Sequence, residues 1–492
     1  EIVGSSACRI AELTYDSRRV QPGTLFFALP GIKADGFDFI SQAVAAGAVA
    51  VVAERLPENL SEDVCWVRVA NARLAMAQLA ARFYGDPTRD LPVIGVTGTN
   101  GKTTVTYLLE AILKQAGYAP AVFGTVAYRY ANIEHAAAHT TPEAIELLRM
   151  LRDFRAQGAD ALIMEVSSHA LEQYRVDGIH FDLAVFTNLT PEHLDYHQTI
   201  DAYFASKRRL FDQLVPAGGM VINLDDPYGA KLFQSHPDES NFGSGTEAQV
   251  RPLQVEVGRA GIRGRFVVAG EELEIASGMI GDFNVSNLLA AMAAASRFGI
   301  AGETIGRGLR AAPQVPGRLE KIPNSRDILA LVDYAHTGDA LEQTLKTLAK
   351  LDNRRLLAVV GCGGDRDRAK RPVMAALAVH YADLALFTSD NPRTEDPLAI
   401  LAEIRAGALQ VGGRELNQAR AVAGESGFVV VPERRQAIEF AGNLATAGDL
   451  LLVAGKGHED YQILGTEKIH FDDREELSRV LNQERARGEG DV

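Results

Sequence analysis

The sequence predicts a mixed α/β protein of three domains, with a central parallel sheet that also carries antiparallel strands. Three observations predict it. Apolar strand-like runs alternate with helical stretches along most of the chain, the pattern of parallel sheets covered by helices on both faces. One such strand, VIGVT, runs straight into the glycine-rich turn TGTNGKTT at residues 97–104. Two breaker-rich stretches, DPTRDLP at 86–92 and AAPQVPG at 311–317, interrupt the alternation. They divide the chain into 1–88, 89–315 and 316–492, and its 492 residues suit about three domains.

The first segment reads strand TLFFAL, helix FISQAVAAGA, strands AVAVVAE and CWVRVA, then helix NARLAMAQLAARFYG. The second opens on the phosphate strand VIGVT and continues with DALIMEV and LAVFTN, separated by helices such as PEAIELLRMLRDFRAQG. Residues 251–283 differ: short alternating strands with glycine turns predict antiparallel pairing. Helices NVSNLLAAMAAASRFG and ETIGRGLRAA close this segment. The third segment is Rossmann-like, with strands ILALVDYAH, RRLLAVVGCGG, DLALFTSD, GFVVVPE and DLLLVAGKGHED. Each ends in a polar or glycine-rich loop, and open α/β sheets bind ligands at those carboxyl ends.

Composition narrows the function classes. The chain is 47% hydrophobic and 23% charged, with 50 Lys and Arg against 64 Asp and Glu, a net charge of −14. An acidic chain without a basic tail argues against nucleic acid as the main partner. Cys8, Cys65 and Cys362 form no CxxC pair and suit a reducing cytoplasm. The longest apolar run, residues 43–53, is shorter than the about 20 residues of a membrane span, and no signal-peptide pattern is visible.

The turn at 97–104 predicts a nucleotide phosphate site. Backbone N–H groups and a helix N-terminus converge on an anion in such loops. A strict Walker pattern needs glycine where this chain has Val96. Gly98 and Gly101 still permit close backbone approach, Lys102 can reach the β- and γ-phosphates, and Thr103 can ligate Mg²⁺. Downstream come Glu165 at a strand end, His193 and His197 in NLTPEHLDYH, and Lys207 on a helix. Taken singly, capped turns and a solvated basic helix would explain each of these. Their order behind a phosphate loop is what makes them candidates.

The ordered set TGTNGKTT, HTTPE, EVSSHALEQYRV, NLTPEHLDYH, DYAHTGDAL, GGDRDRAKRP, DNPRTEDP and GKGHEDYQ resembles the Mur ligases, over nearly the full length. The resemblance implies an ATP-dependent ligase of cytoplasmic peptidoglycan precursor synthesis, acting as a monomer. Its substrates would be UDP-N-acetylmuramoyl-L-alanyl-D-glutamate and meso-diaminopimelate, activated through an acyl phosphate. It implies ATP contacts from Gly98, Thr99, Asn100, Gly101, Lys102, Thr103 and Thr104, with Asn287, Arg318 and Asp333 reaching the nucleotide from further along the chain. An interdomain salt bridge is the competing reading of Arg318. Two Mg²⁺ sites are implied, served by Thr103, Glu165, His193 and Lys207, the last as a CO₂-derived carbamate. Lys102, Glu165, His193 and Lys207 are thus the implied catalytic set.

The resemblance also divides substrate recognition. Ser17 would meet the UDP end, and Thr140, Thr141, Ser167, Gln173 and Arg175 the muramoyl-peptide. Arg366, Asp390, Asn391, Arg393, Gly455 and Glu459 would hold diaminopimelate. Asn391-Pro392 fixes a turn, so the Arg393 fork is aimed at the distal carboxylate that lysine lacks. Glu459 suits the distal ammonium. A surface turn with a solvated arginine is the bland alternative. One departure is Gly338, where the family carries proline, which is expected to loosen the loop after His336. The competing functions are a lysine-adding relative or folylpolyglutamate synthetase, and, from another class, a nucleotide-driven switch.

Overall fold

The computed structural model describes residues 1–4, 8–31 and 34–483. It contains an N-terminal five-stranded sheet in the order Ile2–Val3, Cys65–Arg68, Ala48–Ala53, Thr24–Ala28, Glu12–Thr14, parallel except at the Ile2–Val3 edge.

The eight-stranded sheet is built around β1 (Val93–Thr97), which runs into α1 (Lys102–Gln115). On either side of β1 lie β2 (Ala161–Glu165) and β3 (Leu183–Phe186), both parallel to it. All three strands are fully buried, which explains why they read as continuous apolar runs. Pro120–Phe123 continues the parallel set, and Ala127–Tyr130 and Ile133–Ala136 add an antiparallel edge. Helix α2 (Ile200–Arg209) starts on Thr199, whose hydroxyl accepts from Ala202 N, and it carries Lys207.

The stretch 86–92 is more than a spacer. Thr88 and Leu91 are buried, and Thr88 Oγ1 accepts a hydrogen bond from His180 N at 3.0 Å. Leu13, Leu25 and Phe27 of the first sheet share one apolar cluster with Val93, Leu162 and Met164 of the second.

Residues 251–277 form three antiparallel strands, Arg251–Gly258, Gly261–Val268 and Glu271–Ser277, as their alternation predicts. The last large sheet is six-stranded. Its strands are Glu320–Lys321, β4 (Leu329–Asp333), β7 (Leu450–Ala454), β5 (Leu356–Cys362), β6 (Leu384–Ser389) and Gly427–Val430, in that spatial order. Only the Glu320–Lys321 edge is antiparallel. A helix, α3 (Gly338–Ala349), follows β4; its N-cap Thr337 accepts from Ala340 N. Gly338 is therefore the first residue of a capped helix, a position where proline is also favoured.

By contact, residues 1–249 with 290–304 form one compact unit, and residues 250–289 with 305 onward form a second.

Candidate active site

In the first unit, the candidate residues collect at the carboxyl ends of β1, β2 and β3, where an open parallel sheet presents its loops. Gly98 takes φ +148°, and a Cβ there would lie 1.9 Å from Thr187 Oγ1. Gly101 takes φ +88° and opens α1, whose N-terminus favours negative charge. The loop is braced from the segment after β3. Asn188 Oδ1 accepts from Asn100 N at 2.9 Å, and Asn188 Nδ2 donates to Asn100 O at 3.1 Å. Thr187 Oγ1 donates to Asn100 O at 2.6 Å, and Thr99 Oγ1 lies 3.2 Å from the Tyr203 hydroxyl.

Two amines meet at one carbonyl. Lys102 Nζ donates to Gly98 O at 2.9 Å and Thr99 O at 2.6 Å, and Lys207 Nζ donates to Gly98 O at 2.8 Å. Lys207 is 1% exposed. Burial first, then the Lys102 charge, hold its amine well below the ordinary lysine value, against a weaker pull from Glu192. Burial thus disfavours its charged form.

Glu165, 1% exposed, closes β2. Its two oxygens accept from Thr125 N and Thr125 Oγ1, both at 2.9 Å. A Cβ at Gly124 would stand 2.4 Å from Glu165 Oε1, so glycine is needed for this approach. Thr140 Oγ1 lies 3.1 Å from Thr125 Oγ1, and Thr141 Oγ1 donates to Glu165 O at 2.8 Å and accepts from Ser167 N at 3.0 Å. Arg175 donates to Thr141 O at 2.9 Å and Gln173 Oε1 at 2.7 Å, and pairs with Glu143 Oε1 at 2.9 Å. Arg175 Nε, Glu143 Oε2 and Glu146 Oε2 are buried without hydrogen-bond partners, so this corner is polar and incompletely satisfied. The expected muramoyl-peptide residues thus join Glu165 in one network. Ser17 stands apart on a turn of the N-terminal sheet, 3.4 Å from Gln42 Oε1.

His193 adopts φ +56° and stacks edge-on to His169 at 4.9 Å; His169 lies 5.4 Å from His197. Burial, then the neighbouring histidines, push His169 down to about 4. Partial burial also pushes His193 below its ordinary value, with Lys102 and Lys207 adding to the effect and Glu192 opposing it. Neutral imidazoles are the form that ligates metal.

The second unit repeats the arrangement. Asp333, Asp390 and Gly455 stand at or just beyond the ends of β4, β6 and β7. Asp333 is buried and accepts from Leu319 N at 2.7 Å and Ala335 N at 2.9 Å. Burial raises its carboxyl despite Arg318 and these bonds. Arg318 lies over the Tyr334 ring at 4.9 Å, and Asn287 Nδ2 donates to Asn284 Oδ1 at 2.8 Å.

Asn391 Nδ2 donates to Glu459 Oε2 at 3.0 Å, and Asn391 Oδ1 accepts from Ile463 N at 3.0 Å. Arg393 takes φ +53°, and its Nη1 donates to Gly364 O at 2.8 Å. Gly364 admits this turn, since a Cβ there would meet Pro392 O at 1.9 Å. Gly455, φ +120°, passes Asp390 closely enough that a Cβ would lie 3.8 Å from Oδ2. Arg366 is exposed and bonds only locally, to Asp365 O at 3.2 Å. Burial, then Asp390, raise Glu459; for Asp390 burial is outweighed by Lys456 and Arg434, and its carboxyl sits low.

Sequence reasoning missed several residues here. Lys456, fully buried, lies within the quoted GKGHEDYQ; a lysine between two glycines at a strand end was a usable signal. Asn188 and Glu143 also lie inside quoted motifs. Thr125 carried no signal, because its role depends on strand neighbours far away in sequence.

Three stretches of the chain match known families: residues 9–84 the Mur ligase family catalytic domain, 96–295 the Mur ligase middle domain, and 317–457 the Mur ligase glutamate ligase domain. With full-length relatives at this level of identity, the chain belongs to the Mur ligase family. It is 48% identical over 499 residues to the UDP-N-acetylmuramoyl-L-alanyl-D-glutamate–2,6-diaminopimelate ligase of Geobacter metallireducens, spanning 100% of this chain and 98% of that one. Identity to the ligase of the same description from Geobacter sulfurreducens is 50% over 485 residues, 96% of this chain and 94% of that one. A solved structure of such a ligase superposes with a TM-score of 0.70 at 34% identity, covering 96% of this chain and 94% of the other.

Proposed function

We propose that this chain is the cytoplasmic, monomeric ligase that uses ATP to join meso-diaminopimelate to UDP-N-acetylmuramoyl-L-alanyl-D-glutamate. Residues 1–88 serve the UDP-substrate, 89–315 the ATP and 316–492 the amino acid. The observation that carries the reading is the convergence of Lys102 and Lys207 on Gly98 O at the N-terminus of α1. That corner is built for concentrated negative charge.

The chemistry follows from what is brought there. A carboxylate is a poor electrophile because oxide is a poor leaving group. A carboxylate oxygen of the D-glutamyl residue attacks the γ-phosphorus, and the bond to ADP breaks. The amine of diaminopimelate then attacks the acyl carbon. The tetrahedral intermediate collapses with loss of inorganic phosphate, which carries off the carboxylate oxygen, and the amine sheds a proton. Lys102 offsets the repulsion between triphosphate and carboxylate. Gly98, Thr99, Asn100, Gly101 and Thr104 shape the cradle, with Asn287, Arg318 and Asp333 assigned to the nucleotide.

Lys207 fits a carbamate. In its neutral form the buried amine condenses with CO₂ and releases one proton, which places an anion beside Lys102. Among the described residues no group of three or more His, Cys, Asp or Glu side chains is arranged to hold a metal ion. Thr103, Glu165, His193 and the Lys207 carbamate are the residues that would hold Mg²⁺. Mg²⁺ would supply charge neutralisation between the reacting anions.

The deciding experiment follows oxygen-18 from the acceptor carboxyl. Label appearing in inorganic phosphate, only when both acceptor and diaminopimelate are present, supports the ligase. Phosphate release without an amino acid favours the nucleotide switch, and equal turnover with L-lysine removes the assigned specificity.

A further inference from the structure

We propose that Lys456 sets amino-acid specificity by charge balance: its buried ammonium cancels one of the carboxylates Asp390 and Glu459, leaving one unmatched negative charge opposite Arg393. The inference rests on the assignment of this pocket to the amino acid.

Lys456 has no exposed side-chain surface and is surrounded by oxygens. Its Nζ donates to Tyr461 O at 2.6 Å and Asn391 Oδ1 at 3.1 Å, which fix its position. It also lies 3.4 Å from Asp390 Oδ1 and 3.6 Å from Glu459 Oε2. One cation thus serves two carboxylates. Arg434, which after Lys456 acts most strongly on Asp390, is already matched: it donates to both oxygens of Asp473 at 2.7 and 2.6 Å. Arg393 directs Nη1 at the backbone carbonyls of Gly364 and Asn391. Asp390, Glu459, Lys456 and Arg393 together are neutral, with one cation and one net anion still to be matched. An amino-acid end bearing one ammonium and one carboxylate matches both. The end of lysine brings a cation alone and leaves the half-buried Arg393 without a carboxylate to match it.

The test is a cycle of Lys456→Met, Glu459→Gln and the double variant, assayed for ADP release with diaminopimelate and with lysine. Glu459→Gln leaves the pocket one charge too positive. Adding Lys456→Met should then improve it, lowering the KM for diaminopimelate by about tenfold, within the coupling range of contacting groups. Lys456→Met alone should shift the preference toward lysine by a similar factor, read as a ratio independent of the active fraction. The KM for ATP serves as control. A double variant no better than Glu459→Gln, or one that does not fold, makes Lys456 part of the scaffold and overturns the proposal. A parent enzyme that does not require diaminopimelate overturns the functional assignment instead.

Discussion

At Gly98 a side chain has nowhere to go, because a methyl group would collide with Thr187 Oγ1 at a φ that L-residues avoid. Gly98→Ala should abolish nucleotide binding in calorimetry while the circular dichroism of the fold persists. Lys207 calls for a different test. If its function is carried by a carbamate, Lys207→Ala should lose activity by orders of magnitude and regain part of it with added short carboxylic acids, since these restore the missing anion. Lack of rescue by any carboxylate would count against the carbamate. Arg393→Ala should raise the KM for diaminopimelate by about 100-fold or more, the equivalent of an interaction worth about 3 kcal/mol, with ATP binding spared. These residues were legible because each lies in a motif with a chemical reason. Lys456 was not picked out, because only the fold shows that it faces two carboxylates at once.

At the scale of elements, the loop of the phosphate site depends on its neighbour strand. Asn188 bonds both the N–H and the carbonyl of Asn100, so Asn188→Ala should loosen the cradle. Two hydrogen bonds of about 1 kcal/mol each predict a KM for ATP raised by about tenfold or somewhat more. The helix Asp473–Asn482 is tied to the last sheet through Asp473 and Arg434, neither of them exposed. Asp473→Asn leaves a buried guanidinium unmatched and should lower unfolding stability by about 3–5 kcal/mol in denaturant titration. The strands were readable because parallel strands buried on both faces are continuous apolar runs. The 86–92 stretch carries no helix or strand, in keeping with its prolines, whereas the burial of Thr88 and Leu91 is set by what packs against them.

For the molecule as a whole, pH stability follows from its buried histidines. His169 and His458 are each pushed from the ordinary 6.5 down to about 4, in both cases chiefly by burial. Between these values the unfolded chain binds more protons than the folded one, so stability falls as pH drops from about 6.5 toward about 4. Above that window both forms are neutral and the penalty vanishes. Replacing either histidine with glutamine should flatten this acid limb in urea midpoints measured across the window. No described helix is long and apolar enough to cross a membrane.

The sequence by itself determined the strand–helix alternation, the phosphate loop, the antiparallel insertion and the chemistry of each motif, because these are set by residue type and short spacing. Only the tertiary structure decided which distant residues meet: Thr125 on Glu165, Asn188 on Asn100, Lys207 on Gly98 and Lys456 between Asp390 and Glu459. Those meetings are made by parallel strands lying side by side. Adjacency in such a sheet comes from crossover connections that no local sequence pattern encodes.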